Sequence, residues 1–505
     1  MPYSLHSTKP AEDSTGIETF DRFWDTHPSE WADASKTEDS GIPLDFLDGR
    51  VVLSNPENHC MICGASGLGK TRRILYPAVT LSARAGRSMV IADLKGEIFR
   101  NTANEVRRCG HDIKVINLRN PWVGDRFSPL SLVERCWKSG DRSRATILLK
   151  DICEILTAKL FSSRDGYWQM AAQDCFMGFA ILILETGWPL TFERIHRLFN
   201  QFVTDKEERQ EMLDAFRDGQ YESRKRLSTI LNLATTETES TLACILSEFN
   251  TALSPYVDQE DVRDLLSCSD LELTDIGRRP TAVYLVCPDE STSLYGIASL
   301  FVEQTYSELI RFADTREDNQ LPVKVDFILD EFGNFVGSDW PAKLTAARSR
   351  GIRFILALQS MSQLISRHGD SGARTLLANC RTLAYLGGRD LWLMEEISKL
   401  SGRLINTGTG ATRPVLSIND LNAVRNGCVV VLDDSEQPYI GHIPDWEQWG
   451  IKDKAKLSDK RRQPGKTDEA GIWELFHSGL VPADPEESPD PEPMSFDDVE
   501  KLLPF

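Results

Sequence analysis

No stretch of this 505-residue chain reaches the roughly 20 consecutive apolar residues that a membrane-spanning helix needs. The longest candidate, CFMGFAILILETGW from Cys175 to Trp188, falls short and reads as a buried helix. The opening MPYSLHSTKPAEDSTGIE carries no apolar core of a signal peptide. Positive charge is scarce too. Lys and Arg number 57 against 76 Asp and Glu, for a net charge of −19. That argues against a surface coated with basic patches for grasping duplex DNA from outside, but leaves room for a narrow channel lined by a few cationic loops. The 11 cysteines follow no regular framework and the 8 histidines are scattered. A disulfide scaffold and a metal cluster are therefore not expected, and reduced thiols in a cytosolic protein are. Cys60 and Cys63 form a C-x-x-C without a second pair at zinc spacing, so they read as strand packing.

What the chain does have is a strand–helix rhythm from Val51 onward. VVL and HCMIC read as strands, then comes a glycine loop, then a helix KTRRILYPAVTLSARAG closed by Gly86 and kinked at Pro77. SMVIAD and DIKVINL are further strands around a second helix, LKGEIFRNTANEVRRCG. Alternation of this kind predicts an α/β fold with a mostly parallel sheet. The rhythm breaks at about Gly140, and the next 130 or so residues read almost wholly as helix. Strands return at TAVYLVCP, KVDFILDE, RFILALQ, RTLAYLGG and CVVVLDD. The expected organisation is a flexible acidic arm at 1–45, a nucleotide-binding domain at 46–139 that resumes at 274–450, an all-α domain inserted at 140–273, and an acidic, Pro-rich, disordered tail at 451–505. In the arm, FDRFWD and Trp31 are candidate short docking helices; in the tail, Phe496, Val499, Leu502 and Leu503 are a candidate amphipathic turn.

The loop Gly64-Ala65-Ser66-Gly67-Leu68-Gly69-Lys70-Thr71 fits G-x-x-x-x-G-K-[ST]. Its glycines let backbone N–H groups turn inward around phosphates, Lys70 reaches the β- and γ-phosphates, and the Thr71 hydroxyl can bind Mg²⁺. With a strand before and a helix after, the expected ligand is ATP with Mg²⁺. VKVDFILDEF supplies the partner carboxylates at a strand's carboxyl end. Asp330 would hold Mg²⁺ and Glu331 would polarise the attacking water. Gln359 ends the strand FILALQ, placed to sense a γ-phosphate or orient water. Between them lie Arg348, Arg350 and Arg353. Arg348 or Arg350 could neutralise transition-state charge from a neighbouring subunit; the spacing fits a solvated helix end equally well. Asp93 and Lys95 in IADLKGE sit at another strand end, as weaker candidates for the site or for coupling to substrate. The basic runs YESRKRLS and KAKLSDKRR could touch phosphates or acidic peptide, and read as readily as solvated faces.

The ordered set MICGASGLGKTRRILYPAV, VIADLKGEIF, YWQMAAQDCFMGFAILIL, DFILDEFGNF, SRGIRFILALQSMSQL and ANCRTLAYLGGRDLWLMEEISKLSG resembles the coupling ATPases of type IV secretion and conjugation, from about Val51 to Ile443. The resemblance implies a RecA-like P-loop NTPase domain interrupted by an all-α domain, working as a homo-hexamer. It implies an ATPase that passes relaxase-bound, single-stranded DNA or protein effectors to a secretion channel. Lys70 and Thr71 match the phosphate-loop pair, Asp330 and Glu331 the Mg²⁺ and base carboxylates, Gln359 the sensor glutamine and Arg348 the arginine finger. Such proteins usually carry an N-terminal membrane anchor, which these first residues lack. The expectation is a cytoplasmic protein that is either a soluble variant or held at the inner membrane by a membrane-anchored partner chain. A cytosolic hexameric DNA translocase of the same superfamily, and a recruitment platform with little turnover, are the alternatives.

Overall fold

A computed structural model of the chain describes residues 31–477 apart from 158–165, 236–238, 289–292, 338, 406–411, 434–437, 452, 458–460 and 463–470. FDRFWD and the Phe496–Leu503 stretch lie outside the described residues. The chain divides into two compact units. The first is Met1–Leu132, Asp151–Ser162 and Ala252–Lys466; the second is Val133–Lys150, Ser163–Thr251 and Thr467–Phe505.

The first unit is built on fourteen described strands: β1 Ala32–Asp33, β2 Pro43–Leu47, β3 Arg50–Leu53, β4 Cys60–Cys63, β5 Ser88–Leu94, β6 Asp112–Asn117, β7 Thr281–Cys287, β8 Val325–Leu329, β9 Ile352–Leu358, β10 Thr382–Tyr385, β11 Arg403–Ile405, β12 Thr412–Pro414, β13 Cys428–Leu432 and β14 Tyr439–His442. Nine of them make one sheet in the order β14-β13-β10-β4-β9-β8-β5-β7-β6. From β10 to β6 every pairing is parallel, while β13 and β14 add an antiparallel edge. The central strands are buried along their length, as expected where helices cover both faces of a parallel sheet. The fold is the RecA-like α/β expected from the sequence, and the parallel order brings the carboxyl ends of β10, β4, β9, β8 and β5 to one edge.

Beneath that edge, Asp326 of β8 is fully buried with Arg87, Arg353 and Ser82. Ser82 Oγ donates to it at 2.7 Å, and both guanidinium groups bond to it. Burial would push its carboxyl up, but Arg353 and Arg87 hold it down to about 2. Arg353 is thereby locked into the core.

Residues 31–45 are not an arm. β1, β2 and β3 form a small antiparallel sheet, and His442 N–H of β14 donates to Asp45 Oδ1 at 2.9 Å. Trp31 stacks under the Arg50 guanidinium instead of sitting in a short helix. The turn between β2 and β3 is Asp48-Gly49, with φ of 49° and 78°, the left-handed pair of a tight hairpin.

Helices α1 (Tyr76–Arg84) and α2 (Glu97–Arg108) flank this sheet, and α3 (Pro129–Lys138) and α4 (Arg142–Thr157) follow it in sequence. Pro77 does not kink α1 mid-helix. It stands in the first turn, directly after a wide π-type turn at Lys70–Leu75.

Among the described residues the second unit has helices and no strand: α5 (Gly166–Glu185), α6 (Phe192–Thr204), α7 (Lys206–Asp218), α8 (Ser223–Thr235) and most of α9 (Glu239–Val257). Side chains cap two of these at their N-termini, Thr191 on α6 and Asp205 on α7. A Cβ at Gly178 of α5 would fall 2.4 Å from Leu227 of α8, so glycine is what lets these two helices touch.

The expected boundaries at 140 and 273 shift to Val133 and Thr251, and Asp151–Ser162 returns to the first unit. A helix's apolar period looks the same whichever body it packs against, so spacing could not place these limits. The stretch 451–505 is likewise not one tail. Ala455 N–H donates to Arg100 O and Arg462 bonds to Asp264, both within the first unit. Ile472–His477 forms a helix in the second unit, with Phe476 against Phe216 and Tyr221.

Candidate functional site

The phosphate loop leaves β4 at Gly64 and enters the π-type turn at Lys70. Gly67 and Gly69 have φ of 83° and 91°, a conformation that a Cβ would strain. The loop is pinned on two sides. Gly64 N–H donates to Leu358 O of β9, and Ala65 N–H donates to Gly387 O just past β10. Gly387 and Gly388 have φ of 113° and 146°, and a Cβ on Gly388 would lie 3.5 Å from Ala65 N. This glycine pair carries the backbone against the loop, a role that sequence reasoning missed. A Gly-Gly directly after a strand that neighbours the loop's own strand was the available signal.

Lys70 is buried, its Nζ donating to Gly64 O at 2.7 Å. Thr71 Oγ1 donates to Asp330 Oδ2 at 3.0 Å. Two neighbouring oxygens around an octahedral Mg²⁺, with bonds of about 2.1 Å, stand about 3 Å apart. The Thr71–Asp330 pair therefore fits the ion in donor chemistry and in spacing. Asp330 is 5 % exposed. Burial and the neighbouring Glu331 charge push its carboxyl up to about 6, a cost that a bound cation would remove.

Glu331 has φ of 51°, and its Oε1 accepts a hydrogen bond from Gln359 Nε2. A cavity of about 500 Å³ opens here. The phosphate loop, Asp330, Glu331 and Gln359 line it, together with Arg72, Leu94, Lys95, Glu97, Tyr295, Asn334 and Gln363. That volume lies in the range of small-molecule sites. Asp93 adjoins the site without lining it. Its carboxylate is fully buried and accepts N–H bonds from Ile98 and Phe99. Burial pushes that carboxyl up to about 7, against those two N–H groups.

The structure thus brings together Gly64–Thr71, Asp330, Glu331 and Gln359. It does not bring Arg348 to them. Arg348 is exposed and precedes the start of β9, whereas Gln359 follows its end. The seven-residue strand β9 between them puts them about 20 Å apart. Arg350, beside it, is paired with Asp314. Lys95, a weaker candidate in the sequence, lies in the cavity wall, as do Tyr295, Asn334 and Gln363, which nothing in the sequence pattern marks for nucleotide contact.

Among the described residues, no helix is long and apolar enough to cross a membrane. A model of the type IV secretory system conjugative DNA transfer family matches residues 29–408. Protein VirD4 of Agrobacterium fabrum is 25% identical over 372 residues, covering 70% of this chain and 51% of that protein. The type IV secretion system-coupling protein VirD4 of Bartonella quintana is 27% identical over 162 residues, 31% of this chain and 24% of that protein. The chain spans about half the length of the first of these relatives. In fold it is similar to plasmid coupling protein TrwB solved with a non-hydrolysable ATP analogue, at a TM-score of 0.55 and 16% identity over 81% of this chain and 87% of that one. The same protein solved with ADP and Mg²⁺ aligns at 0.54 and 15% identity, over 85% and 91%. With three quarters of its length matched to the family model, the chain belongs to the type IV secretory system conjugative DNA transfer family.

Proposed function

We propose that the chain is an ATP-hydrolysing coupling motor that receives a DNA strand with its relaxase, or a protein effector, and drives it into a type IV secretion channel. The observation that carries this reading is the convergence of Lys70, Thr71, Asp330, Glu331 and Gln359 on one cavity at the carboxyl edge of the sheet. A phosphate loop with one acid can hold a nucleotide; a second acid beside it gives the attacking water a base. The loop N–H groups and Lys70 bind and orient the β- and γ-phosphates, and Thr71 and Asp330 hold Mg²⁺. The ion, when bound, neutralises phosphate charge. Glu331 takes the proton of the water that attacks the γ-phosphorus, and ADP leaves. Gln359 holds the Glu331 carboxylate until nucleotide draws the amide away.

Arg348 supports assembly into a ring, because an exposed arginine at the opposite edge can serve only another copy's cavity. A homo-hexamer is the arrangement in which each copy does so. The working place is the cytoplasmic side of the inner membrane, reached through a membrane-anchored partner chain. The reading is tested by steady-state ATP turnover with and without single- and double-stranded DNA over a salt series. Stimulation that fades steeply with salt supports it, because phosphate contacts release counterions. Turnover indifferent to both DNAs favours a recruitment platform instead.

A further inference from the structure

Gln359 is exposed and stands one residue beyond β9. A side chain so placed takes its aim from the backbone that carries it rather than from packing. That backbone passes from β9 into the helix Ser362–Asn379 through Gln359, Ser360 and Met361. One carboxylate holds the last two. Ser360 Oγ donates to Asp390 Oδ2 at 2.9 Å, and Met361 N–H donates to the same oxygen at 2.6 Å. The other oxygen, Oδ1, accepts the N–H of Leu393 at 3.2 Å and caps the helix Leu391–Leu400. Asp390 follows β10, and β4 lies between β10 and β9 in the sheet. With neighbouring strands about 4.8 Å apart, β10 and β9 are about 10 Å apart, and the link spans the strand that feeds the phosphate loop. The loop is laced into the same circuit through Gly64 N–H to Leu358 O and Ala65 N–H to Gly387 O. Leu358, Gly64, Ala65, Gly387, Asp390 and Ser360 thus close a ring of chain and hydrogen bonds, with Gln359 on its rim.

We propose that Asp390 is a positioning residue for Gln359: its carboxylate clasps Ser360 and Met361 to the turn after β10, and so fixes where the Gln359 amide meets Glu331 and the reacting phosphate. The inference rests on the hydrolysis reading of the cavity. An ionised carboxylate suits the task, because hydrogen bonds to a charged acceptor are about twice as strong as neutral ones. Its two oxygens also divide the work, one taking both donors of the clasp and the other the helix cap. An asparagine has a single side-chain oxygen. It can cap the helix or hold Ser360 and Met361, but not both. Asp390 does not line the nucleotide cavity, so its effect on the chemistry passes through the residues that it holds.

The test titrates the full chain in Mg²⁺ with fluorescent ADP, alone and with aluminium fluoride, which stands in for the γ-phosphoryl group in transit. Aluminium fluoride should tighten wild-type binding on the order of 100-fold or more. Gln359→Ala is expected to give up on the order of tenfold of that tightening with ADP affinity nearly unchanged, and Asp390→Asn a comparable share. Ser360→Ala, which removes one clasp bond and leaves the helix cap, should give up roughly threefold. The double variant Gln359→Ala/Asp390→Asn should fall no further than Gln359→Ala alone, because the side chain through which Asp390 acts is gone. A merely structural Asp390 would lower ADP affinity as well, and its loss would multiply with that of Gln359→Ala; either result overturns the inference. If the Asp390→Asn protein does not fold, Ser360→Ala decides, and wild-type tightening in it overturns the inference. A wild-type response undiminished in folded Asp390→Asn removes the inference alone. A wild-type chain whose ADP binding aluminium fluoride does not tighten removes the hydrolysis reading and the inference with it.

Discussion

The Gln359 side-chain amide donates a hydrogen bond to Oε1 of Glu331, joining the carboxyl ends of the adjacent strands β9 and β8. Glu331 accepts it from a left-handed backbone at φ 51°, a conformation that costs a non-glycine residue about 1 kcal/mol or more. The surrounding fold therefore sets where this carboxylate stands, and the amide sets which oxygen is engaged. Gln359→Ala should lower the turnover number on the order of 10- to 100-fold while leaving nucleotide affinity nearly unchanged. Turnover and fluorescent-ADP titration of the same preparation check this. An affinity that falls in step with turnover would make Gln359 a binding residue instead.

Arg348 and the phosphate loop stand at opposite ends of the strands, so one copy cannot supply both to one cavity. Arg348→Ala and Lys70→Ala proteins should each turn over ATP poorly alone. Mixed in equal amounts, they should regain a measurable part of wild-type turnover, because some interfaces then pair an intact loop with an intact arginine. A mixture no more active than its components would rule out Arg348 acting between copies. Arg350, already tied to Asp314, would then be the next to substitute.

The fully buried Asp93 gives a pH signature. Its carboxyl in the folded chain titrates at about 7, above the ordinary carboxylate value of 3.8. Stability from the retained proton is complete below the unfolded value, and is lost as pH rises from about 4 through 7. Asp93→Asn removes this dependence and gives up one acceptor for the N–H groups of Ile98 and Phe99. Relative to wild type, the variant should therefore gain roughly 2–3 kcal/mol between pH 5 and pH 8. Urea unfolding at both pH values reads the change, and a difference that is the same at both would remove Asp93 as a buried, proton-holding group.

Much of this site is legible in the sequence because its signals are local. Gly64–Thr71 carries its own backbone requirement, and VDFILDE and FILALQ are apolar runs whose polar ends must meet wherever parallel strands lie side by side. What escapes is either short or remote. VVL is legible as a strand, but its partner β2 is a five-residue strand whose one strong cue, the Asp48-Gly49 turn between them, is submerged in polar sequence. Gly387-Gly388 touches Ala65 across more than 300 residues, and no period reveals that distance. The Ile472–His477 helix is hidden because Ile472 and Leu475, both buried, sit in a region whose average composition is acidic and rich in proline. The helical boundaries fail for a different reason, since amphipathicity says that a helix packs but not on what.

The central claim is that Glu331 is the base of an ATP-hydrolysing site, and single-turnover hydrolysis measures it most directly. Wild-type and Glu331→Gln proteins are each loaded with Mg²⁺ and radiolabelled ATP in the presence of single-stranded DNA, and phosphate release is followed after rapid mixing. The account predicts ATP affinity within about twofold of wild type and a release rate lower by on the order of 100-fold or more. A Glu331→Gln protein that releases phosphate at the wild-type rate would contradict it.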